Sequence, residues 1–335
     1  MTIPRTTRLL PAAALALLGV TLAGCAAASA DSGSDTDAVT LNVGQLGQAK
    51  VDEALLHAAG EDDDLDYTIS TALFDSGPAA LEAVPSKQID IVSMADTPMI
   101  FGQLGGVEAH IVASADSSPT KGSLVEIVVP ADSAIDDVDD LKGKKVATLQ
   151  GTTLQYSLIN ILDDSGLAYD EISPVNLSPV DALTALQNGD VDAAALLGPQ
   201  RAIAVAGGAK TVGTAEGLLE DWTITVATDA ALADKDKAAA IEDYLLRLNR
   251  AHAWAKAHKE EWAKVYAQTT GLPAPVATAI VKREDFRPVP LGDDFAKSQQ
   301  KQADAYAALG LFPKAPDVTE TFDTRYNDAI AEAQE

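Results

Sequence analysis

Pro78-Ala79-Ala80-Leu81-Glu82-Ala83-Val84, leading to Ile89-Asp90-Ile91 and then to Thr97-Pro98, is the stretch that decides the fold. It has an echo later in the chain. Pro179-Val180-Asp181-Ala182-Leu183-Thr184-Ala185-Leu186 leads to Val191-Asp192-Ala193 and then to Gly198-Pro199. The first and last prolines are 20 residues apart in both copies. Each copy reads as a helix opened by proline, where the missing N–H costs nothing. A strand follows, then a turn that opens another helix. A unit written twice predicts two similar α/β lobes. Their helix N-termini would face the carboxyl ends of parallel strands, where ligands of open sheets usually sit.

The flanking sequence fits that plan. Val39-Thr40-Leu41-Asn42-Val43 alternates polar and apolar residues and reads as a first strand ending at Gly44, with Tyr67 to Leu73 as a second and Ile89 to Val92 as a third. The second lobe is expected to start near Val128-Val129-Pro130, so that lobe I takes residues 39–127 plus 226–335 and lobe II takes 128–225. Gly151-Thr152-Thr153 opens a helix whose apolar stripe is Leu154, Leu158, Ile161 and Leu162, with Gly166 as its stop. Thr223 to Ala227 alternates again and reads as the strand that returns to the first lobe.

The first 38 residues carry an address. Arg5 and Arg8 precede an apolar run from Leu9 to Leu22, too short for a comfortable membrane span, and the run stops at Leu22-Ala23-Gly24-Cys25. This reads as a secretory signal over 1–24. Residues 26–38 contain only Ala, Ser, Asp, Gly and Thr, so 25–38 is expected to be a flexible tether. Cys25 is the one cysteine in the chain, which excludes an internal disulfide and any multi-thiolate zinc site.

The 335 residues hold 50 acids against 24 bases, a formal charge of −26 that becomes −28 once the two signal arginines are removed. Such a field repels nucleic acid and anionic lipid, so neither is an expected partner. Catalytic motifs are missing: there is no His-Glu-x-x-His, no Gly-x-Ser-x-Gly, no phosphate-binding glycine loop, and Asp62-Asp63-Asp64 lacks the glycine and distal glutamate of a calcium loop. No cofactor and no metal is expected.

Several segments together resemble the extracytoplasmic substrate-binding proteins of ABC importers, specifically the aliphatic sulfonate, taurine and nitrate group. Phe74-Asp75-Ser76-Gly77-Pro78 is similar to that family's first ligand loop, and Asp90 with Ala95-Asp96-Thr97-Pro98-Met99-Ile100-Phe101 to its Gly-Asp-Thr-Pro-Pro-Ile-Phe signature. Asp140-Leu141-Lys142-Gly143-Lys144-Lys145-Val146 and Asn188-Gly189-Asp190-Val191-Asp192-Ala193 match second-lobe hallmarks, and Gln302-Ala303-Asp304 through Lys314 looks like the closing helix. Leu22-Ala23-Gly24-Cys25 resembles the lipobox of bacterial lipoproteins, in which the cysteine is lipidated. Two acyl chains on Cys25 would give stable anchoring.

The resemblance implies an α/β, two-lobed periplasmic-binding-protein-like fold of type II, with two crossing strands at the hinge and a solute clamped between the lobes. It implies a monomeric, lipid-anchored receptor on the outer face of the cell membrane, without catalysis, that delivers a small-molecule solute to an ABC permease. Helix N-termini favour negative charge, which makes Ser76, Gly77, Asp96, Thr97, Pro98, Thr152 and Thr153 candidate ligand contacts; Thr152 would also cap its helix. Gln48 and Lys50 in the first loop, and Asp75, are expected to face the same cleft. Leu197 stands where the family often has tryptophan, and Trp222 is a candidate replacement wall. Two other readings stay open: a receptor for a thiamine precursor or other heteroaromatic solute, and a surface-anchored hydrolase using paired carboxylates.

Overall fold

The structure is a computed structural model and describes residues 39–117 and 123–333. The signal over 1–24, Cys25 and the tether lie outside the described residues. The strands are β1 Val39–Leu46, β2 Tyr67–Phe74, β3 Ile91–Ala95, β4 Ala109–Asp116, β5 Glu126–Val129, β6 Lys145–Thr148, β7 Ser173–Asn176, β8 Ala193–Leu196, β9 Lys210–Thr214, β10 Trp222–Thr228 and β11 Arg287–Val289. The helices are α1 Val51–Ala59, α2 Gly77–Glu82, α3 Thr97–Leu104, α4 Thr153–Ser165, α5 Pro179–Asn188, α6 Gly198–Ala206, α7 Asp229–Ala233, α8 Lys235–Ala257, α9 Lys259–Thr270, α10 Ala274–Arg283, α11 Asp293–Ala308 and α12 Asn327–Glu332.

Two sheets form, one in each lobe. The first has the order β11-β4-β10-β3-β1-β2 and the second β7-β6-β8-β5-β9. In each, three parallel strands come first (β2-β1-β3 and β7-β6-β8), and an antiparallel strand separates the third from the fourth. That antiparallel strand is the one lying beyond a crossing: β10 in the first sheet, β5 in the second. The sequence echo is therefore a shared topology. The expected boundaries at 127/128 and 225/226 fall inside β5 and β10; the chain passes from the first sheet to the second between β4 and β5 and returns between β9 and β10. Backbone bonds tie these connections together, Ser117 N donating to Asp221 O at 2.8 Å and Ser123 N to Leu219 O at 2.7 Å.

The echo extends to single atoms. Asp90 accepts from the backbone N–H of Asn42 at 2.8 Å, and Asp192 accepts from that of Lys145 at 2.8 Å. Each aspartate thus fastens the approach to the third strand onto the first, at Asn42 within β1 and at Lys145 where β6 begins. This is why β3 and β8 begin after these residues rather than at Ile89 and Val191. A second shift concerns β1, which runs past Gly44 to Leu46. A Cβ at Gly44 would lie 3.0 Å from Val92 Cβ, so glycine permits the close approach of β3 instead of ending the strand.

Helices cover both faces of both sheets, as parallel strands require. In lobe I, α1, α8, α9 and α10 pack with Leu41, Val43, Ile91 and Ala227 on one face; Met94, Ile111, Ile224 and Phe295 lie on the other. In lobe II, the α4 stripe Leu154, Leu158, Ile161 and Leu162 is buried as expected, and Gly166 ends α4 at φ 84°. Ala182, Leu183 and Leu186 of α5 fill the opposite face.

Candidate functional site

The loops that follow the third strand of lobe I and the first strand of lobe II bring the lobes together. After β3 comes Asp96, then Thr97 and Pro98 open α3; after β6 come 149–152, and Thr153 opens α4. Asp96 is 2% exposed and Thr97 0%. The Asp96 carboxylate accepts from Gln299 Nε2 and Gln302 Nε2 of α11 at 2.5 Å each, and from Thr153 Oγ1 at 3.3 Å. Thr97 Oγ1 donates to Gln302 Oε1 at 2.7 Å and lies 3.1 Å from Thr153 Oγ1. Burial raises the Asp96 carboxyl to about 6, with the bonds from Gln302, from backbone N–H groups and from Thr153 opposing that rise. Of the hydroxyls expected to meet a ligand's anion at these two helix starts, that of Thr153 donates to Asp96 and that of Thr97 to Gln302, whose amide in turn donates to Asp96. The charge preference of a helix N-terminus is met by Asp96.

Packing reinforces the junction. Tyr306 OH donates to Thr152 O at 3.2 Å, and Phe101, Tyr306, Phe312 and Tyr156 form one aromatic cluster across the lobes. Thr152 is a correction to the expected cap: its hydroxyl donates to Leu149 O at 2.6 Å, and no side chain caps α4. Ser76 does cap α2, accepting from Ala79 N. Gly77 is a contact of necessity, because a Cβ there would meet Pro98 Cγ at 2.6 Å; it lets the starts of α2 and α3 lie side by side.

The remaining expected contacts divide. Gln48 and Asp75 are both exposed and bond to each other at 3.0 Å, bridging the loops after β1 and β2. Lys50 pairs with Glu53 at 3.0 Å on the surface. Leu197 precedes α6 and is 41% exposed, without a capping side chain on that helix. Trp222 is the clearest departure. It is 7% exposed, edge-on to Phe295 at 5.2 Å, with Nε1 donating to Glu220 and Ser298. An indole held this way is part of the lobe I core.

A second junction was not foreseen. Glu126 of β5, 4% exposed, accepts from Arg201 Nε of α6 at 2.8 Å, Thr211 Oγ1 of β9 at 2.7 Å and Arg283 Nη1 of α10 at 2.6 Å. Burial alone would raise this carboxyl, but the bonds from Arg201, Thr211 and Arg283 outweigh it and hold it below the usual range. Nor were Gln299 and Gln302 foreseen as site residues, although Gln302 opens the segment that resembles the closing helix. Among the described residues, no group of His, Cys, Asp and Glu is arranged to hold a metal ion.

Residues 62–272 match the family described as "ABC transporter, phosphonate, periplasmic substrate-binding protein". A putative aliphatic sulfonates-binding protein of Escherichia coli (strain K12) is 31% identical over 91% of this chain and 93% of its own. The chain belongs to the periplasmic substrate-binding proteins of ABC transporters. A Bacillus subtilis (strain 168) protein of the same description is 28% identical over 76% of this chain and 75% of its own. The alkanesulfonate-binding protein SsuA from Xanthomonas axonopodis pv. citri, solved bound to MOPS, superposes with a TM-score of 0.76 at 27% identity, covering 85% of this chain and 98% of that one. This substrate-binding protein is thus a component of an importer and not an enzyme, which sets the hydrolase reading aside. No helix among the described residues is long and apolar enough to cross a membrane.

Proposed function

We propose that this chain is a monomeric, lipid-anchored receptor that closes on a small organic anion, an aliphatic sulfonate or close relative, and presents it to a membrane permease. The observation that carries the binding site is a pair of buried side-chain oxygens without partners, Gln45 Oε1 and Thr148 Oγ1. Both lie at the carboxyl end of the first strand of their sheet, β1 and β6. A buried polar atom left unbonded costs about 1–3 kcal/mol, and two at matched positions, one in each sheet, support a solute that completes them. The relatives named for sulfonates support that ligand class. The net charge of −26 disfavours long-range steering of an anion, so capture would rest on local donors. Cys25 after Leu22-Ala23-Gly24 supports the anchor and an outer-face location.

Melting shifts with taurine, alkanesulfonates, nitrate and thiamine-precursor pyrimidines test the reading. Stabilisation by sulfonates without product is expected; stabilisation by the pyrimidines alone would replace the ligand class. Cys25→Ala should release the protein from the membrane, and retention would contradict the anchor.

A further inference from the structure

A buried carboxylate, Asp96, already stands between the starts of α3 and α4, so an anionic ligand needs a positive partner elsewhere. The Glu126 junction has one to give. Arg201 and β5 belong to lobe II, while α10 packs into the lobe I core, so the Arg283–Glu126 bond runs between the lobes. Two guanidinium groups share one carboxylate, which leaves one positive charge in excess in a chain of net charge −26. Arg283 uses Nη1 on Glu126, but its Nη2 is buried and has no partner.

The position is also right. Glu126 pairs with Leu196 at the carboxyl end of β8. Four residues after Arg283, Arg287 pairs with Asp116 at the carboxyl end of β4. The guanidinium is therefore held beside the carboxyl end of β8, on a segment that runs on to the carboxyl end of β4. A planar fork with one free arm suits the oxygens of a sulfonate or phosphonate, and such charge-assisted bonds are about twice as strong as neutral ones.

We propose that Arg283 is a specificity-determining residue that receives the ligand's anionic head through Nη2, and that Glu126 is the residue that positions it. This inference rests on the anion-receptor reading above. In that role Glu126 fixes the guanidinium plane before the ligand arrives, so less side-chain freedom is lost on binding.

Calorimetric titration of the full chain with butanesulfonate and with uncharged butanesulfonamide tests it. Wild type should prefer the sulfonate. Arg283→Gln should weaken sulfonate binding by about ten- to a hundredfold, the worth of one charged hydrogen bond, and leave the sulfonamide within about threefold. Arg283→Lys should fall between them, retaining charge without the fork. Arg283→Gln leaves Glu126 paired with Arg201 and Thr211, and the Glu126→Gln/Arg283→Gln double variant repeats the comparison with both members of the Arg283–Glu126 bond uncharged. Sulfonate binding at wild-type strength in Arg283→Lys and in the double variant overturns the inference and leaves the receptor reading standing. A wild type that binds neither butanesulfonate nor, titrated in the same way, butylphosphonate overturns both.

Discussion

The hydroxyls of Thr97 and Thr153 lie 3.1 Å apart, one opening a helix of lobe I and the other a helix of lobe II. Both sit beside the Asp96 carboxylate, which two glutamine amides of α11 also reach. Asp96→Ala would strand these donors in a buried site. Each lost partner costs about 1–3 kcal/mol without full additivity, so a loss of about 3 kcal/mol by urea unfolding is expected. A loss below 0.5 kcal/mol, the range of ordinary surface changes, would mean that the junction relaxes around the gap.

The same residue makes stability depend on pH. The Asp96 carboxyl is raised to about 6 from an ordinary 3.8. Between those values the folded chain binds more protons than the unfolded one, so stability falls as pH rises from about 4 to about 6. Asp52 and Asp221 are also raised, chiefly by burial, and act in the same direction. The comparison of wild type with Asp96→Asn isolates one contribution, on the order of 2–3 kcal/mol across that window. Urea melts at pH 4, 5 and 6 should give a shallower decline in the variant; parallel curves would contradict the assignment.

Gly77→Ala tests the close approach of α2 to α3. The added methyl meets the ring of Pro98 at 2.6 Å, and the ring belongs to a helix start with little freedom to move. Overpacking of this kind costs about 1–3 kcal/mol. Unchanged melting would show that the pair is loosely packed.

Trp222→Phe separates core from ligand wall. The smaller ring keeps the contact with Phe295 and loses the bonds to Glu220 and Ser298. Stability should drop by about 1–2 kcal/mol, with sulfonate affinity within about twofold of wild type. A selective loss of affinity at constant stability would restore Trp222 to the cleft.

Much of the fold was legible because the two lobes repeat one local grammar. The prolines at 78, 98, 179 and 199, the glycine stop at 166 and the alternation from Thr223 to Ala227 each follow from backbone chemistry that acts within a few residues. The candidate site was less legible. Serine and threonine at a helix start look the same whether they face a ligand, cap the helix or bond to another lobe. Thr97 and Thr153 are 56 residues apart, and Asp96 finds its amides more than 200 residues on. Glu126 and Arg283, 157 residues apart, have no local signature at all. Such pairs are set by how the lobes dock, which periodicity does not encode.

The placement of β10 between β3 and β4 carries a consequence for the order of assembly. Every strand of the second sheet lies within residues 126–214, so that lobe is complete as soon as its own segment has emerged. The first sheet has a gap until Trp222–Thr228 arrives. At roughly 5–20 residues per second of synthesis, the stretch from β4 to β10 takes roughly 5–20 s. The lobe that begins first in the chain is the one that finishes last, and its open seam between β3 and β4 is the surface to guard meanwhile.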